Sequence, residues 1–199
     1  MRALVIDYES GNLRSVAKAL EAASFAVKVS SDPADAKAAE LLVLPGQGHF
    51  GQVMRAFQAS GFQDAALEHV QAGKPFLGIC VGMQILYQGS EEAPGLRGLG
   101  LVHETVRKFP AGRVPQMGWN TVEFAAGAFE PLSRNYFYYA NSYYGPVVSG
   151  TVGESKYQGT RFTAVYASGN IVAPQFHPEK SGRTGLAFLE LLKKHFQQE

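Results

Sequence analysis

Several things are scarce in this chain of 199 residues, and each scarcity excludes something. Cysteine occurs once, at Cys80, so no intrachain disulfide can form, which fits a reducing compartment. The formal net charge is only +1, so no electrostatic pull toward nucleic acid or anionic membrane is expected. No apolar run approaches the ~20 residues needed to cross a bilayer. The opening MRALVIDYES has a short apolar run that meets Asp7 at once, and it reads as a strand rather than a signal peptide. No internal repeat, linker or low-complexity segment breaks the chain. The expectation is a soluble, cytoplasmic protein with residues 1–199 in one domain.

What is present is ordinary globular material, 46% hydrophobic and 18% charged, in a chain long enough for one α/β domain with a real core. Ala3–Ile6 is a continuous apolar run, as in a buried parallel strand. Leu13, Val16, Ala17 and Leu20 form an amphipathic helical stripe, and Asn12 stands before it in the N-cap place. Phe25–Ser30 reads as a second strand. Glu40–Leu44 reads as a third, stopped by Pro45-Gly46-Gln47-Gly48. Phe62, Ala66 and Val70 mark a helix ending at Gly73. Phe76–Ile79 is a fourth strand, followed by a helix over Met83–Tyr87. Alternating strands and helices predict a parallel sheet with helices on both faces. After Gly89 the texture changes. Leu101–Phe109, Trp119–Phe124 and Tyr136–Tyr143 read as strands, and Arg161–Ala167 with Asn170–Gln175 as a hairpin. A last helix over Gly185–Phe196 carries Phe188, Leu189, Leu192 and Phe196 on one face. The fold class expected is α/β: three layers around a mostly parallel central sheet, with an added antiparallel or mixed β region in the second half.

The stretch with chemistry in it is Gly78-Ile79-Cys80-Val81-Gly82. It has the form of a strand-to-helix elbow, G-x-nucleophile-x-G, with cysteine in the nucleophile seat. Such a turn brings the residues two before and two after the nucleophile too close for side chains, so both are glycine. The helix N-terminus that follows favours a thiolate. At the glycine content of this chain, chance alone flanks the cysteine in this way roughly 1% of the time. The bland alternative is a small buried core cysteine.

A cysteine nucleophile needs a base and a group to orient that base. His177, in Gln175-Phe176-His177-Pro178-Glu179-Lys180, follows a strand as Cys80 does. In extended backbone Glu179 would point to the same side as His177 and could hold one imidazole nitrogen while the other faces the thiol. Taken alone, HPEKSG reads equally as a solvated surface turn. Acyl transfer also needs N–H donors aimed at the developing oxyanion. Val81 at the elbow supplies one, and Gly46, Gln47 and Gly48 offer another, although PGQG alone could be a mere tight turn.

P-G-x-G, then G-I-C-x-G-M-Q, then H-P-E, in that order and spread over nearly the whole chain, resembles the triad-type (class I) glutamine amidotransferases. These have a flavodoxin-like fold, hydrolyse the side-chain amide of glutamine through a γ-glutamyl thioester and pass the ammonia to a synthase partner. The resemblance implies Cys80 as nucleophile, His177 as base and Glu179 as its orienting carboxylate, with Gln84 contacting glutamine and no cofactor or metal. Asp7–Val16 (DYESGNLRSV) resembles the D-Y-x-x-G-N-L-x-S-V opening of the amidotransferase subunits of imidazole glycerol phosphate synthases. So do Pro115–Asn120 (PQMGWN), the aromatic block ending Asn141-Ser142-Tyr143, and QFHPEKS. That resemblance implies a heterodimer with a (β/α)₈ cyclase subunit, which forms imidazole glycerol phosphate and AICAR in histidine biosynthesis. It places Asn141, Ser142 and Tyr143 near bound glutamine and Asn12 and Trp119 on the docking face. On composition alone Trp119 would be core. Two positions depart from the family pattern: Gln47 stands where Val is common, and Asn141 where His is common.

Three rivals remain at this point. One is the amidotransferase of another pathway (anthranilate, GMP or pyridoxal phosphate), against which the N-terminal motif speaks. Another is a Cys-elbow peptidase-like protein, which usually has its histidine close to the nucleophile in sequence; here it is 97 residues on. The third is a non-catalytic module that kept the fold.

Overall fold

The computed structural model describes residues 1–9, 12–110 and 112–198, so Ser10 and Gly11 of the N-terminal motif lie outside the described residues. In chain order the first half runs β1 (Arg2–Ile6), α1 (Leu13–Ala22), β2 (Ala26–Ser30), a 3₁₀ turn over Pro33–Ala38, β3 (Leu41–Gly46), α2 (Phe50–Ala59), α3 (Phe62–Gln71), β4 (Phe76–Cys80) and the short α4 (Val81–Gln84). The second half adds β5 (Tyr87–Ser90), β6 (Val102–Lys108), β7 (Gln116–Thr121), β8 (Glu123–Phe124), β9 (Tyr136–Asn141), β10 (Tyr143–Tyr144), β11 (Thr151–Tyr157), β12 (Thr160–Ser168), β13 (Ile171–Pro174) and α5 (Gly182–Gln198). Among the described residues no helix is long and apolar enough to cross a membrane.

The main sheet has the order β2-β1-β3-β4-β13-β12-β11-β8 among the described residues. The first five strands are parallel neighbours, and the last three join antiparallel. This is the expected fold class. Because strand order reverses at β1, right-handed crossovers put α1 and the α2–α3 pair on opposite faces; α5 packs beside α1. The central strands β3 and β4 are buried along their whole length, which is why they read as unbroken apolar runs. The edge strand β2 is largely exposed.

Several expectations need correcting. Helix α2 adds to the expected elements, with Phe50, Val53, Met54 and Phe57 all buried at helical spacing. The helix expected over Met83–Tyr87 is displaced: α4 ends at Gln84, and Tyr87 begins a strand because Tyr87 pairs with Val102 of β6. β3 runs through Pro45 and Gly46 instead of stopping at Leu44. Residues after His177 coil into a single 3₁₀ turn, Pro178–Lys180, rather than staying extended, with proline in the first position where its missing N–H costs nothing. Asn12 does occupy the N-cap position of α1, but in left-handed backbone and without a side-chain cap bond.

Candidate active site

The functional side chains gather at the carboxyl ends of β3, β4 and β13, next to the place where the strand order reverses, the usual ligand position in an open α/β sheet. Register explains the gathering. Gly46 lies opposite Cys80 across the β3–β4 pair, and β13 runs parallel to β4 with Val172 opposite Leu77, so the chain leaving β13 emerges beside Cys80.

Cys80 sits at φ 55°, ψ −107°, a strained conformation for a residue with a Cβ and the mark of a nucleophile elbow. The flanking glycines are sterically required. A Cβ at Gly78 would lie 2.7 Å from the Gly82 carbonyl oxygen, and one at Gly82 only 2.1 Å from that of Leu44. The elbow is braced in turn by Gly46, whose added Cβ would meet the Gly82 nitrogen at 2.3 Å. Cys80 is nearly buried, and the side chains of His177 and Glu179 are each 2% exposed.

His177 Nδ1 and Glu179 Oε1 are 2.9 Å apart. The other ring nitrogen is left for the Cys80 sulfur, which lines the same cavity. Burial alone disfavours a charged His177. The negative charge of a Cys80 thiolate, its bond to the ring and the Glu179 carboxylate together outweigh that and raise the imidazole to about 10. The ring is therefore held toward its protonated form. The turn that carries His177 and Glu179 is tied to β9: His177 N–H donates to the Tyr138 carbonyl at 2.9 Å, Tyr138 N–H to Ser181 Oγ at 2.9 Å, and Ser181 Oγ back to the His177 carbonyl at 2.7 Å.

A cavity of about 270 Å³ opens in front of Cys80. Of the residues expected around glutamine and the oxyanion, Gln47, Gly48, Val81, Gln84, Asn141, Ser142 and Tyr143 all line it. Gly46 does not; it packs behind the elbow. Asn141 Nδ2 donates to the Tyr143 carbonyl at 2.9 Å, while its buried Oδ1 has no partner among the described residues, nor has Gln47 Nε2. Glu92 and Lys180 also line the cavity. Sequence reasoning does not pick them out; the signal for Glu92 is a carboxylate soon after the elbow, and for Lys180 its place beside Glu179.

The N-terminal motif supports the site from behind. The Tyr8 hydroxyl donates to the Pro45 carbonyl, bracing the PGQG loop. Asn12, expected on the docking face, donates from Nδ2 to Glu179 Oε1 at 3.2 Å, 167 residues away in sequence. Trp119, by contrast, is 56% exposed, against the core position that composition alone suggested. It lies on the β7–β9 ribbon opposite Tyr138, edge to face at 6.0 Å, with Met117 on the same face and Tyr136 nearby, both exposed. The reverse face of the ribbon is buried through Phe137 and Tyr139.

This geometry can be set against known proteins. The family model for glutamine amidotransferase class-I matches residues 4–194. An imidazole glycerol phosphate synthase subunit HisH of Thermus thermophilus is 65% identical over 197 residues, 99% of each chain. The chain belongs to the HisH family of class-I glutamine amidotransferases. The HisH subunit of Deinococcus radiodurans is 51% identical over 94% of this chain and 90% of its own length. A longer protein of Emericella nidulans, imidazole glycerol phosphate synthase hisHF, is 38% identical over 96% of this chain and 38% of that protein. Among solved structures, one from PurLQS of Thermotoga maritima superposes with a TM-score of 0.76 at 21% identity, covering 98% of each chain, a likeness of fold. As a HisH-family protein this chain is an amidotransferase subunit rather than a peptidase or an inert module, and family membership disfavours the anthranilate, GMP and pyridoxal phosphate alternatives.

Proposed function

We propose that this chain hydrolyses glutamine to glutamate and ammonia through Cys80, His177 and Glu179 and delivers the ammonia to a docked cyclase subunit of imidazole glycerol phosphate synthase. The observation that carries the reading is the convergence of the sole cysteine, on a strained elbow, with a buried His177–Glu179 pair at one cavity. His177 takes the thiol proton, and the thiolate adds to the carboxamide carbon. The oxyanion is held by the Val81 N–H and by the Gln47-Gly48 part of the loop, with Gly46 giving it room. The tetrahedral adduct collapses as His177 returns the proton to the departing nitrogen, leaving ammonia and a γ-glutamyl thioester. His177 then takes a proton from water, which attacks the thioester and releases glutamate and Cys80. Glu92 and the unpartnered Asn141 Oδ1 are acceptors suited to the α-ammonium of glutamine, and Lys180 and Ser142 are donors suited to its α-carboxylate.

The partner reading is supported by the apolar outer face of the β7–β9 ribbon, whose start, Gln116, follows the cavity residue Pro115. In this reading Trp119 docks against the (β/α)₈ barrel as a buried aromatic anchor, and ammonia passes across the covered mouth before water protonates it. Asn12 serves the triad through its bond to Glu179. The Emericella nidulans relative, imidazole glycerol phosphate synthase hisHF, matches this chain over only 38% of its length, which accords with a HisH-like part joined to a second one. Gly48 is exposed, at φ +94°, with open space where a side chain would stand, and in this reading the docked partner fixes the oxyanion geometry of the loop as it covers it.

The test is glutamate release from glutamine by wild type and Cys80→Ala, with and without a cyclase carrying its nucleotide substrate. Strong stimulation by the cyclase, abolished in Cys80→Ala, is expected. Activity equal with and without the cyclase would overturn the partner reading, and activity surviving in Cys80→Ala would overturn the nucleophile.

A further inference from the structure

Gln175 has no role in the mechanism above, yet its side chain touches the reacting sulfur. It follows β13, is fully buried, and donates from Nε2 to Cys80 Sγ at 3.6 Å, a normal reach for sulfur. Its Oε1 accepts from Gln84 Nε2 at 3.0 Å. The same Gln84 Nε2 donates to the Tyr143 main-chain carbonyl at 3.0 Å.

The direction of this chain of amides is forced. A main-chain carbonyl can only accept, so the NH₂ end of Gln84 must face Tyr143. The second proton of that NH₂ group then requires an acceptor, and Gln175 must present its oxygen. That leaves the NH₂ end of Gln175 against the sulfur. Its orientation is thus set from the cavity wall, by the carbonyl of a residue that lines the glutamine pocket. A neutral thiol accepts such a bond weakly and a thiolate strongly, so the donor acts on one charge state and not the other.

We propose that Gln175 is a catalytic residue, the amide donor that stabilises the Cys80 thiolate, held in its working orientation by Gln84 and the Tyr143 carbonyl. The inference rests on Cys80 being the nucleophile. It acts twice in a turnover. Before attack it raises the thiolate population by solvating the charge once the proton has moved to His177. In deacylation the second tetrahedral adduct breaks its C–S bond, the electron pair returns to sulfur, and the same N–H receives the departing thiolate before His177 reprotonates it.

Cys80 is the sole cysteine, so alkylation of the full chain by iodoacetamide, followed by intact mass, reports on this sulfur alone. Gln175→Met keeps the length and removes the donor. It should move the pH midpoint of alkylation up by about 1 pH unit and leave the limiting rate at high pH equal or slightly raised, since a more basic thiolate is the better nucleophile. Gln84→Met should give a smaller shift in the same direction. A cooperatively melting Gln175→Met with the wild-type midpoint overturns the inference. Should Gln175→Met fail to fold, an unmoved midpoint in Gln84→Met overturns it instead. His177→Asn separates the two readings. A midpoint that does not move in His177→Asn removes the Cys–His nucleophile itself, whereas one that moves there but not in Gln175→Met removes only the role of Gln175.

Discussion

Gly82→Ala puts a number on how tightly the elbow is built. The added methyl would lie 2.1 Å from the Leu44 carbonyl oxygen, where ordinary contact begins at 3.4 Å, so backbone must move by about 1.3 Å. The obstacle is main chain of the central strand β3, which has no rotamer to yield. Overpacking of this kind costs about 1–3 kcal/mol, or roughly 2–12 °C in Tm for a chain of this size. The catalytic cost is larger. The displacement falls two residues from Cys80, and a misplacement of about 1 Å at a reacting group costs about 10²-fold in rate. Gly78→Ala meets the Gly82 carbonyl oxygen at 2.7 Å and needs only about 0.7 Å of relief, so it should be milder in both measures. Gly89→Ala, whose nearest new neighbour is already at 3.4 Å, is the control and should behave as wild type. The assay is glutamate release in the presence of the cyclase, 10 °C or more below each melting midpoint, alongside thermal melts. Wild-type activity in Gly82→Ala, or a ranking that ignores the contact distances, would refute the steric account of the elbow.

The remaining tests address other contacts. Glu179→Gln replaces a charge-assisted bond to His177 by a neutral one, a difference of about 1–2 kcal/mol, so kcat/KM should fall at least about 5- to 30-fold; an unchanged value removes Glu179 from the triad. Tyr8→Phe deletes the hydrogen bond to the Pro45 carbonyl and should cost about 1 kcal/mol of stability. It should also lower kcat with KM little changed, and a KM effect alone would mean the loop binds substrate rather than the oxyanion. His69 is buried, and burial holds its pKa below the ordinary value of 6.5. Its neutral form therefore supports the fold fully above pH 6.5, and stability should decline as pH falls below that value and the unfolded chain gains the proton. His69→Leu should flatten that decline in melts between pH 7.5 and 5.5, and an equal slope would show that other groups carry it. Trp119→Ala should weaken cyclase binding by 10-fold or more while leaving the melt of the free chain within a few degrees; unaltered affinity would move the docking face elsewhere.

The parts of the site that could be read from the sequence are those imposed by local sterics. Gly78 announces the elbow because its contact, with the Gly82 main chain, arises within one turn; Gly82 completes the pattern although the atom that demands it is the Leu44 carbonyl of β3, and Pro178 keeps His177 extended while starting the 3₁₀ turn that holds Glu179. Helix α2 carries an equally local signal in Phe50, Val53, Met54 and Phe57, but the glycines before and inside its first turn mask it. The misplaced helix at Tyr87 shows the opposite limit. Met83–Tyr87 is apolar enough for helix or strand, and the choice is made by pairing with Val102, outside any local window. The side chains that reach Glu179 and Cys80 from distant parts of the chain lie entirely beyond local reading. Asn12 meets Glu179 across 167 residues, and Gln175 meets Cys80 across 95. Neither contact leaves a trace in spacing, because each is created by a parallel register that sets the ends of β4 and β13 side by side and by α1 starting beneath the turn that follows β13. Reactive residues advertise themselves through the strain they impose on their neighbours in sequence. The residues that contact them from elsewhere in the chain impose no such local strain, so their contacts become visible only once the sheet order is known. That is why Gln175, which the sequence offers only as the first letter of the QFHPEKS resemblance, acquires a specific contact with Cys80 in the fold.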